Sequence, residues 1–598
     1  MVRIRRAAIC SVLPVLVLLL TLSPVLADGP WATAQRLDND SSNSSMPAIA
    51  IAGSDVAALW IQSTGFDTYS IQSNRSTDGG ETWEGVTRIS GDSLHYCTDA
   101  RMAMSGPNVV TVWYQYDGGT RSIQSSCSSD RGATWSSPVR IDDAAIGEPD
   151  VAIDGSNVVA TWKESDGSGN VRIVANWSSD GGATWQGSQD IDFDYGDVES
   201  HLAEYPKAVI QGQNAVVAWK TIVKESGVYY HRVYANASHD GGGTWGRAQL
   251  LSSDTESYSP ELAMSGSTVI AIWNDNDGGT SIYYNRSSDS GTTWNGAARL
   301  DNGAAGGKYV PSIDMSGSQA AAVWTQWDGR ASVVWSNCSD DGGATWAGAQ
   351  VIVPTCTTDM HEPNVAMSDS SVVAVWRHND GTADRVYSSF STDGGETWSD
   401  MQRIQSDAAI SANWPRVASS GTRAVAVWHQ HDDATDVYSN YFEEPESIDL
   451  ELKAGWNMVS VPIQARDMSS GTIFGSAEAV YWWNPVTKSY TIPTSIDPKK
   501  GYWVAVSSDQ TVTVTGEPVE NWTGSLSAGW NMIGSVSGDP IAVGNLDDVP
   551  ADTVQDGAIY TWNPTGKCYS IASQIEEGKG YWAACTAACD LVVGPPPF

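Results

Sequence analysis

The sequence predicts an all-β protein whose main body is a β-propeller of eight blades, followed by two small β-rich repeats. The eight-residue pattern Ser-x-Asp-x-Gly-x-Thr-Trp occurs seven times, and a second tryptophan recurs between the copies. Successive copies lie about 50 residues apart, a spacing that suits one four-stranded blade per repeat. The copies span 76–83, 128–135, 178–185, 238–245, 287–294, 339–346 and 391–398.

The second tryptophan series ends apolar runs such as Val-Val-Ala-Val-Trp and has eight members: Trp60, Trp113, Trp162, Trp219, Trp273, Trp324, Trp376 and Trp428. A further apolar strand precedes each run and is opened by proline in seven units, which is an acceptable first residue of a strand. We therefore expect four strands per unit. In one unit these are 363–367, the run ending at Trp376, 385–390 and 398–404.

The last unit stops near Phe442 without the eight-residue pattern, so it lacks a fourth strand. Residues 31–37, Trp-Ala-Thr-Ala-Gln-Arg-Leu, are similar to residues 294–300, which follow a copy of the pattern. We expect the N-terminal segment to supply the missing strand, so that seven complete units and one split unit form a ring without exposed edges.

The repeated turn is interpreted as a structural staple rather than a catalytic group. Its Ser and Asp side chains can accept or donate hydrogen bonds within the turn, and its Trp can pack between blades. Catalysis needs one site, whereas the turn occurs seven times. The Asp and Trp residues assigned this role are Asp78, Trp83, Asp130, Trp135, Asp180, Trp185, Asp240, Trp245, Asp289, Trp294, Asp341, Trp346, Asp393 and Trp398.

Composition and the N-terminus indicate a secreted protein. Basic residues at 3, 5 and 6 precede an apolar run and a small-residue cleavage site, so residues 1–27 are predicted to be a signal peptide. The net charge of −37 excludes nucleic acid as a partner, and no later stretch is apolar enough to span a bilayer. Seven cysteines remain after residue 27, an odd number that leaves at least one unpaired within the monomer.

The repeated turn, placed between third and fourth strands, resembles the Asp-box (BNR) repeats of sialidases and related secreted propellers, over about residues 31–443. Family sialidases use six blades, an arginine triad that holds the substrate carboxylate, a Tyr–Glu nucleophile pair, an acid/base Asp and an Arg-Ile-Pro motif near the start. This sequence contains no Arg-Ile-Pro, and residues 38–48 contain no Arg. The resemblance therefore implies the fold more strongly than the activity.

Candidate site residues lie in loops that precede inner strands or connect second to third strands, because these loops share one face of a propeller. No catalytic residue is assigned outright. If the protein is sialidase-like, the set is Asp99, Arg101, Arg377 and Arg416, whose arginines either converge on a carboxylate or pair with acids such as Asp99 and Glu362. The candidate ligand-binding residues are Tyr205, Tyr309, Trp327, His361, Glu362, His378 and Trp414.

Beyond residue 443 the pattern changes. Ala-Gly-Trp-Asn-Met at 454–458 recurs at 528–532, Trp-Asn-Pro at 483–485 recurs at 562–564, and Lys-Gly-Tyr-Trp at 500–503 recurs at 579–582. This tandem repeat resembles Gly-Trp-Asn modules appended to large secreted prokaryotic proteins. Its aromatic residues are expected to form the core, with a sugar-binding platform as the alternative. We place the propeller at 28–443 and the two repeats at 444–519 and 520–598.

Three functions are compatible with these residues. The first is extracellular, non-catalytic recognition of a glycan or protein on the loop face, the second is a sialidase-like glycoside hydrolase acting on acidic glycans, and the third is a structural cell-surface protein. No metal site or cofactor is predicted, with calcium kept as an alternative because residues 275–278 resemble part of a calcium loop. The oligomeric state stays open.

Overall fold

The computed structural model describes residues 30–38, 43–65, 68–91, 96–192, 200–253, 256–276, 280–303, 306–353, 358–405, 411–431, 435–465, 467–519, 521–551 and 553–594. The predicted signal peptide, Cys356 and part of the 275–278 loop lie outside these ranges. Within them the chain is almost entirely β-strand, with one short α-helix and one 3₁₀ turn. None of the described helices is long and apolar enough to cross a membrane.

The first strand, β1 (Gln35–Arg36), is followed by seven successive groups of four antiparallel strands. A single parallel bridge between Val171 and Leu202 joins the third and fourth groups. The strands are β2 (Ser44–Ala52), β3 (Asp55–Gly65), β4 (Thr68–Ser76), β5 (Thr87–Arg88); β6 (Tyr96–Ser105), β7 (Asn108–Asp117), β8 (Thr120–Ser128), β9 (Val139–Asp142); β10 (Ala145–Asp154), β11 (Asn157–Ser165), β12 (Val171–Ser178), β13 (Gln189–Asp190); β14 (Ser200–Gln211), β15 (Asn214–Glu225), β16 (Val228–Ser238), β17 (Gln249–Leu250); β18 (Glu256–Ser265), β19 (Thr268–Asn276), β20 (Thr280–Ser287), β21 (Ala298–Arg299); β22 (Lys308–Ser316), β23 (Gln319–Trp327), β24 (Ser332–Ser339), β25 (Gln350–Val351); β26 (Met360–Ser368), β27 (Ser371–Asn379), β28 (Asp384–Ser391) and β29 (Gln402–Arg403).

The eighth sheet combines both ends of the propeller sequence. It contains β30 (Ser411–Ser420), β31 (Arg423–His431), β32 (Thr435–Glu443) and, as its outer strand, β1. Gln35 pairs with Ser439, and the Trp31 and Phe442 rings lie 5.5 Å apart. Gly53 N donates to Ser420 Oγ at 3.0 Å, which joins the first sheet to the eighth.

Each sheet carries the same irregularity where its inner strand begins. The pairing register shifts by one residue there, and the residue at the shift has a positive φ although it is not glycine. Such a backbone conformation is uncommon outside glycine and marks a β-bulge that turns the strand into the channel. One residue per sheet adopts it: Met46, Asp99, Glu148, Tyr205, Ser259, Val310, Glu362 and Trp414.

The propeller core consists of apolar residues packed between neighbouring sheets. One cluster joins Val110 and Val112 of β7 to Val158 and Trp162 of β11. The eight tryptophans of the second strands are all fully buried, at 0% exposure. Alternating strand residues therefore face the two neighbouring sheets, which explains why these strands are continuous apolar runs.

The two C-terminal repeats have matching topologies, with strand orders β34-β38-β36-β37 and β41-β47-β44-β45 in their larger sheets. The first comprises β33 (Glu446–Leu452), β34 (Gly455–Val459), β35 (Ile463–Gln464), α1 (Ser470–Ile473), β36 (Ala479–Asn484), β37 (Ser489–Thr491), β38 (Tyr502–Val506) and β39 (Gln510–Pro518). The second comprises β40 (Trp522–Leu526), β41 (Gly529–Ile533), β42 (Ile541–Ala542), a 3₁₀ turn (Val543–Asn545), β43 (Asp547–Val549), β44 (Val554–Asn563), β45 (Cys568–Ile571), β46 (Gln574–Ile575), β47 (Tyr581–Cys585) and β48 (Cys589–Val593).

The repeats contact each other through equivalent residues. Ser460 N donates to Gly578 O at 3.0 Å, and its counterpart Gly534 N donates to Lys499 O at 2.9 Å. The six described cysteines (Cys97, Cys127, Cys338, Cys568, Cys585 and Cys589) are all free.

Candidate functional site

The repeated turns form closed hydrogen-bond units. In one of them Gly132 N donates to Ser128 Oγ at 2.8 Å, and Thr134 N and Thr134 Oγ1 donate to the two Asp130 oxygens at 2.8 and 2.6 Å. The bond from the Thr134 hydroxyl is the main cause that lowers the pKa of Asp130 to about 2. Trp135 packs against the apolar cluster of the first and second sheets. Both oxygens of the Asp130 carboxylate therefore accept hydrogen bonds within its own turn, as expected for a structural rather than a catalytic role.

The opposite end of the propeller contains a cavity at the mouth of the channel. Its volume is about 270 Å³ and its walls come from the first, second, sixth, seventh and eighth sheets. Five of its lining residues are the positive-φ residues of their sheets. The lining is Met46, Pro47, Asp99, Arg101, Val310, Glu362, Trp414 and Arg416.

Two arginines in this cavity have no acidic partner among the described residues. Arg101 Nη1 donates to Ala100 O at 3.1 Å and Arg416 Nη1 donates to Pro415 O at 3.0 Å. Within the described parts of the chain neither guanidinium forms an ion pair with a carboxylate. Arg416 is exposed to solvent in the channel, yet protein atoms surround its guanidinium closely enough that desolvation, together with the nearby Arg101, lowers its pKa. Glu261 and Glu362 oppose the shift.

Arg377 behaves differently from the other two predicted arginines. Its Nη1 lies 3.0 Å from an Asp384 oxygen on the adjacent strand, and its Nε lies 3.6 Å from Glu362. Arg377 does not line the cavity. Of the two arrangements predicted from the sequence, pairing with neighbouring acids therefore applies to Arg377. Arg101 and Arg416 instead line one cavity.

Glu362 and Asp99 are the carboxylates of the cavity. Glu362 Oε2 accepts a hydrogen bond from Trp414 N at 2.9 Å, which fixes the loop that carries the exposed Trp414 ring. No tyrosine lines the cavity among the described residues. Below the cavity mouth, burial raises the pKa of Asp150, and the nearby positive charges of Lys207 and Arg101 oppose this.

The other predicted ligand-binding residues lie elsewhere. Tyr205, Tyr309 and Trp327 are exposed on the fourth and sixth sheets, and His361 is half-buried beside Glu362. His378 is only 4% exposed, with its Nε2 2.7 Å from Thr358 Oγ1. Its burial, which also lowers its pKa, removes it from the surface on which it was predicted.

Sequence reasoning missed Met46 and Val310, which supply apolar walls opposite the charged groups. The sequence does indicate their position, because each directly precedes the proline that opens an inner strand. Glu148, Tyr205, Ser259, Glu362 and Trp414 occupy the same position in their sheets, so the residue before this proline marks the channel mouth throughout.

Residues 267–430 match the family model described as BNR repeat-like domain. This part of the chain contains BNR repeats. The resemblance inferred from the repeated turn is thereby confirmed, and the BNR propeller is the correct fold class. A search of curated proteins gave no significant match.

Three solved structures illustrate the structural similarity. The BNR propeller is similar to a sialidase of Trypanosoma rangeli (TM-score 0.34, 11% identity), with 68% of this chain and 58% of that chain covered, which is less than two thirds of the sialidase. It is similar to the β-propeller domain of the Trilobed protease from Pyrococcus furiosus (TM-score 0.38, 9% identity, 61% and 99% covered). It is also similar to a polysaccharide lyase, an ulvan lyase (TM-score 0.40, 13% identity, 62% and 96% covered).

Proposed function

We propose that the BNR propeller is a secreted recognition protein that binds a carboxylate-bearing glycan at the channel mouth without cleaving it. The observation that carries the proposal is the pair Arg101 and Arg416, which line one cavity without an ion-pair partner in the described structure. Two guanidinium groups close together repel each other, and an anion between them removes that repulsion. Carboxylates suit this arrangement because guanidinium groups bind them in bidentate geometry.

The apolar wall of the same cavity supports a sugar rather than a simple anion. The Trp414 ring is 41% exposed beside Arg416, and Met46 and Val310 complete the wall. An exposed indole offers a flat apolar face against which the carbon-bound hydrogens of a sugar ring can stack. A ligand that carries both a carboxylate and a sugar ring would satisfy both halves of the cavity.

The carboxylates and tyrosines nearby favour binding over hydrolysis. Glu362 is held by Trp414 N and lies near Arg377, so it is already engaged. Tyr205 lies beside Glu204 and Glu148, but these acids pair with Lys220 and Lys163 at 3.1 and 2.6 Å. A nucleophilic tyrosine needs a free neighbouring base, and neither acid is free to act as one. Export is proposed from the basic start and apolar run of residues 1–27.

The test compares sialyllactose with lactose, which shares the neutral part of the ligand, by titration calorimetry on the mature protein. Sialyllactose should bind measurably tighter than lactose. Arg416→Gln should weaken sialyllactose by at least about tenfold, because a charge-assisted hydrogen bond contributes roughly 1.5–3 kcal/mol. Arg140→Gln is the matched control, since Arg140 is an exposed arginine that pairs with Asp143 outside the cavity.

Equal affinity for the two sugars, or equal effects of the two substitutions, would refute the acidic-glycan proposal. Release of free sialic acid during the same titration would refute the non-catalytic part and establish a hydrolase. Circular dichroism of each variant verifies that the fold is intact.

A further inference from the structure

The two C-terminal repeats meet through aromatic side chains that are related by an approximate two-fold axis. Trp483 Nε1 of the first repeat donates to Trp530 O of the second at 3.0 Å, and Trp562 Nε1 of the second donates to Trp456 O of the first at 2.9 Å. Ring distances follow the same symmetry: the Trp483 and Trp582 centroids lie 5.8 Å apart and those of Trp562 and Trp503 5.3 Å apart.

This arrangement creates two pockets, one on each side of the axis. The first has a volume of about 460 Å³ and is lined by Trp483, Tyr490, Trp530, Tyr560, Tyr569 and Trp582. The second has a volume of about 510 Å³ and is lined by Trp456, Tyr481, Tyr490, Trp503, Trp562 and Tyr569. Both pockets share Tyr490 and Tyr569, so together they form one continuous surface, here called the aromatic groove.

The aromatic groove is open to solvent. Trp456 and Trp530 are 45% and 48% exposed, and Tyr490 and Tyr569 are 50% and 49% exposed. The expectation that the aromatic residues of the repeats form the core is therefore wrong for these four. Monomeric proteins rarely leave so many neighbouring apolar side chains exposed unless the surface binds something.

The polar atoms of the groove define what it can bind. In the part of the repeats that the structure describes, no acidic, basic or amide side chain lines either pocket. The indole N–H groups of Trp483 and Trp562 are used by backbone carbonyls, and Trp582 Nε1 donates to Tyr569 Oη at 3.3 Å. Because the Tyr569 hydroxyl accepts that bond, its own proton is left to donate to a ligand. By the two-fold relation the Tyr490 hydroxyl has the same role beside Trp503.

We propose that the aromatic groove binds a proline-rich peptide in the polyproline II conformation. Two adjacent apolar pockets suit an extended ligand. A proline ring can fill such a pocket because proline has no backbone N–H that would need a hydrogen-bond acceptor there. The tyrosine hydroxyls match the free carbonyls of a polyproline II chain, which has no internal hydrogen bonds. A sugar ring would stack on the same indoles, but among the described lining residues only tyrosine hydroxyls offer partners to its many hydroxyl groups.

Charge favours a peptide with basic residues beside its prolines. Residues 444–598 contain eighteen acidic and seven basic residues, so the surroundings are negative although the pockets are uncharged. Flanking lysines or arginines are attracted by this field at low salt, while the proline core contacts only aromatic rings.

The experiment measures fluorescence anisotropy of a labelled, lysine-flanked oligoproline with the mature full-length protein. Trp456→Ala and Trp530→Ala should each weaken binding by about tenfold, since buried aromatic contacts dominate such interfaces. The two losses should be similar because the pockets are equivalent. Tyr490→Phe and Tyr569→Phe should each weaken binding by about threefold, because each removes one neutral hydrogen bond.

Trp327→Ala is the matched control, because Trp327 has a similar 43% exposure but lies on the propeller. A form lacking residues 595–598 is measured in parallel, since these residues include three prolines and could compete. Binding unchanged by both Trp456→Ala and Trp530→Ala, or loss of binding in Trp327→Ala, would overturn the proposal. Tighter binding of a neutral oligosaccharide or of a choline-type cation than of oligoproline would also overturn it.

Discussion

In the propeller, each of the eight second-strand tryptophans is fully buried, whereas Trp456 and Trp530 of the C-terminal repeats are 45% and 48% exposed. Both sets belong to strands that recur along the sequence. In a closed ring every sheet has two neighbours, which cover both faces of its second strand. A pair of repeats gives each member only one neighbour, so one aromatic face stays open. The number of repeats thus decides whether these tryptophans are buried in the core or exposed at the surface.

The largest expected effect comes from replacing a buried tryptophan of the propeller, compared with replacing an exposed tryptophan of the repeats. Trp113→Ala should destabilise the propeller by roughly 3–5 kcal/mol, because it removes a fully buried indole and leaves a cavity. Trp530→Ala should change the stability of the repeats by less than about 1 kcal/mol, because half of this ring is already in water. Urea unfolding followed by circular dichroism gives both values. Similar losses in the two variants would show that the exposed indoles are also structural.

A second test separates the repeats from each other. A Cβ on Gly580 would lie 2.7 Å from Val459 O of the other repeat, and one on Gly501 would lie 2.8 Å from Ile533 O. Gly580→Ala should therefore destabilise the repeats by roughly 1–3 kcal/mol through overpacking and leave the propeller transition unchanged.

Gly544→Ala is the control for this substitution, because a Cβ at Gly544 meets nothing within 4 Å. Differential scanning calorimetry distinguishes the transitions of the two regions. A neutral Gly580→Ala would mean that the repeats can separate without loss of stability.

The smallest expected effect is the loss of propeller stability at acidic pH. All seven turn aspartates have lowered pKa values, and those of Asp130 and Asp341 are about 2. Groups whose pKa is lower in the folded state stabilise it above their unfolded pKa of about 3.9 and lose this contribution as the pH falls toward 2. The propeller melting temperature should drop steadily between pH 4 and pH 2, and Asp130→Asn should flatten that drop slightly.

Asp143→Asn is the control in the acid series, because Asp143 is an exposed loop residue outside the turns. The measurement stays below pH 4 because burial raises the pKa of Asp314 to about 6, which gives the opposite sign at higher pH. A melting temperature that is independent of pH in this range would contradict the staple interpretation.

The periodic part of the fold was predictable because each sheet repeats the same local chemistry. The turn glycines, the tryptophans and the prolines identified the strands, and β1 pairs with β32 as the N-terminal similarity predicted. One recurring contact between sheets was not predicted from the sequence. Asn236 Nδ2 donates to Ile191 O of the preceding sheet at 2.8 Å, and Asn285 Nδ2 donates to Leu251 O of its preceding sheet at 3.1 Å. These asparagines are buried, which explains why an asparagine recurs two residues before the serine of the repeated turn.

The candidate site was predictable only in outline. Asp99, Arg101, Glu362, Trp414 and Arg416 line one cavity because the topology of a propeller brings the starts of inner strands to one mouth, and their role in binding stays a prediction. Arg377 and His378 were misplaced for a different reason. Both residues follow Trp376 on β27. Because neighbouring sheets cover both faces of this strand, the alternation of its side chains does not show which of the two residues is buried or ion-paired.

The sequence by itself determined the secondary structure, the repeat number and the residues of the repeated turns, since these depend on local spacing and on hydrogen bonds within a few residues. Only the tertiary structure decided that Arg101 and Arg416 share a cavity while Arg377 pairs with Asp384. It also decided that Trp456 and Trp530 of the C-terminal repeats are exposed whereas Trp503 and Trp522 are buried. Both outcomes depend on contacts between segments far apart in the chain, where charge pairing and burial are set by which surfaces the fold brings together.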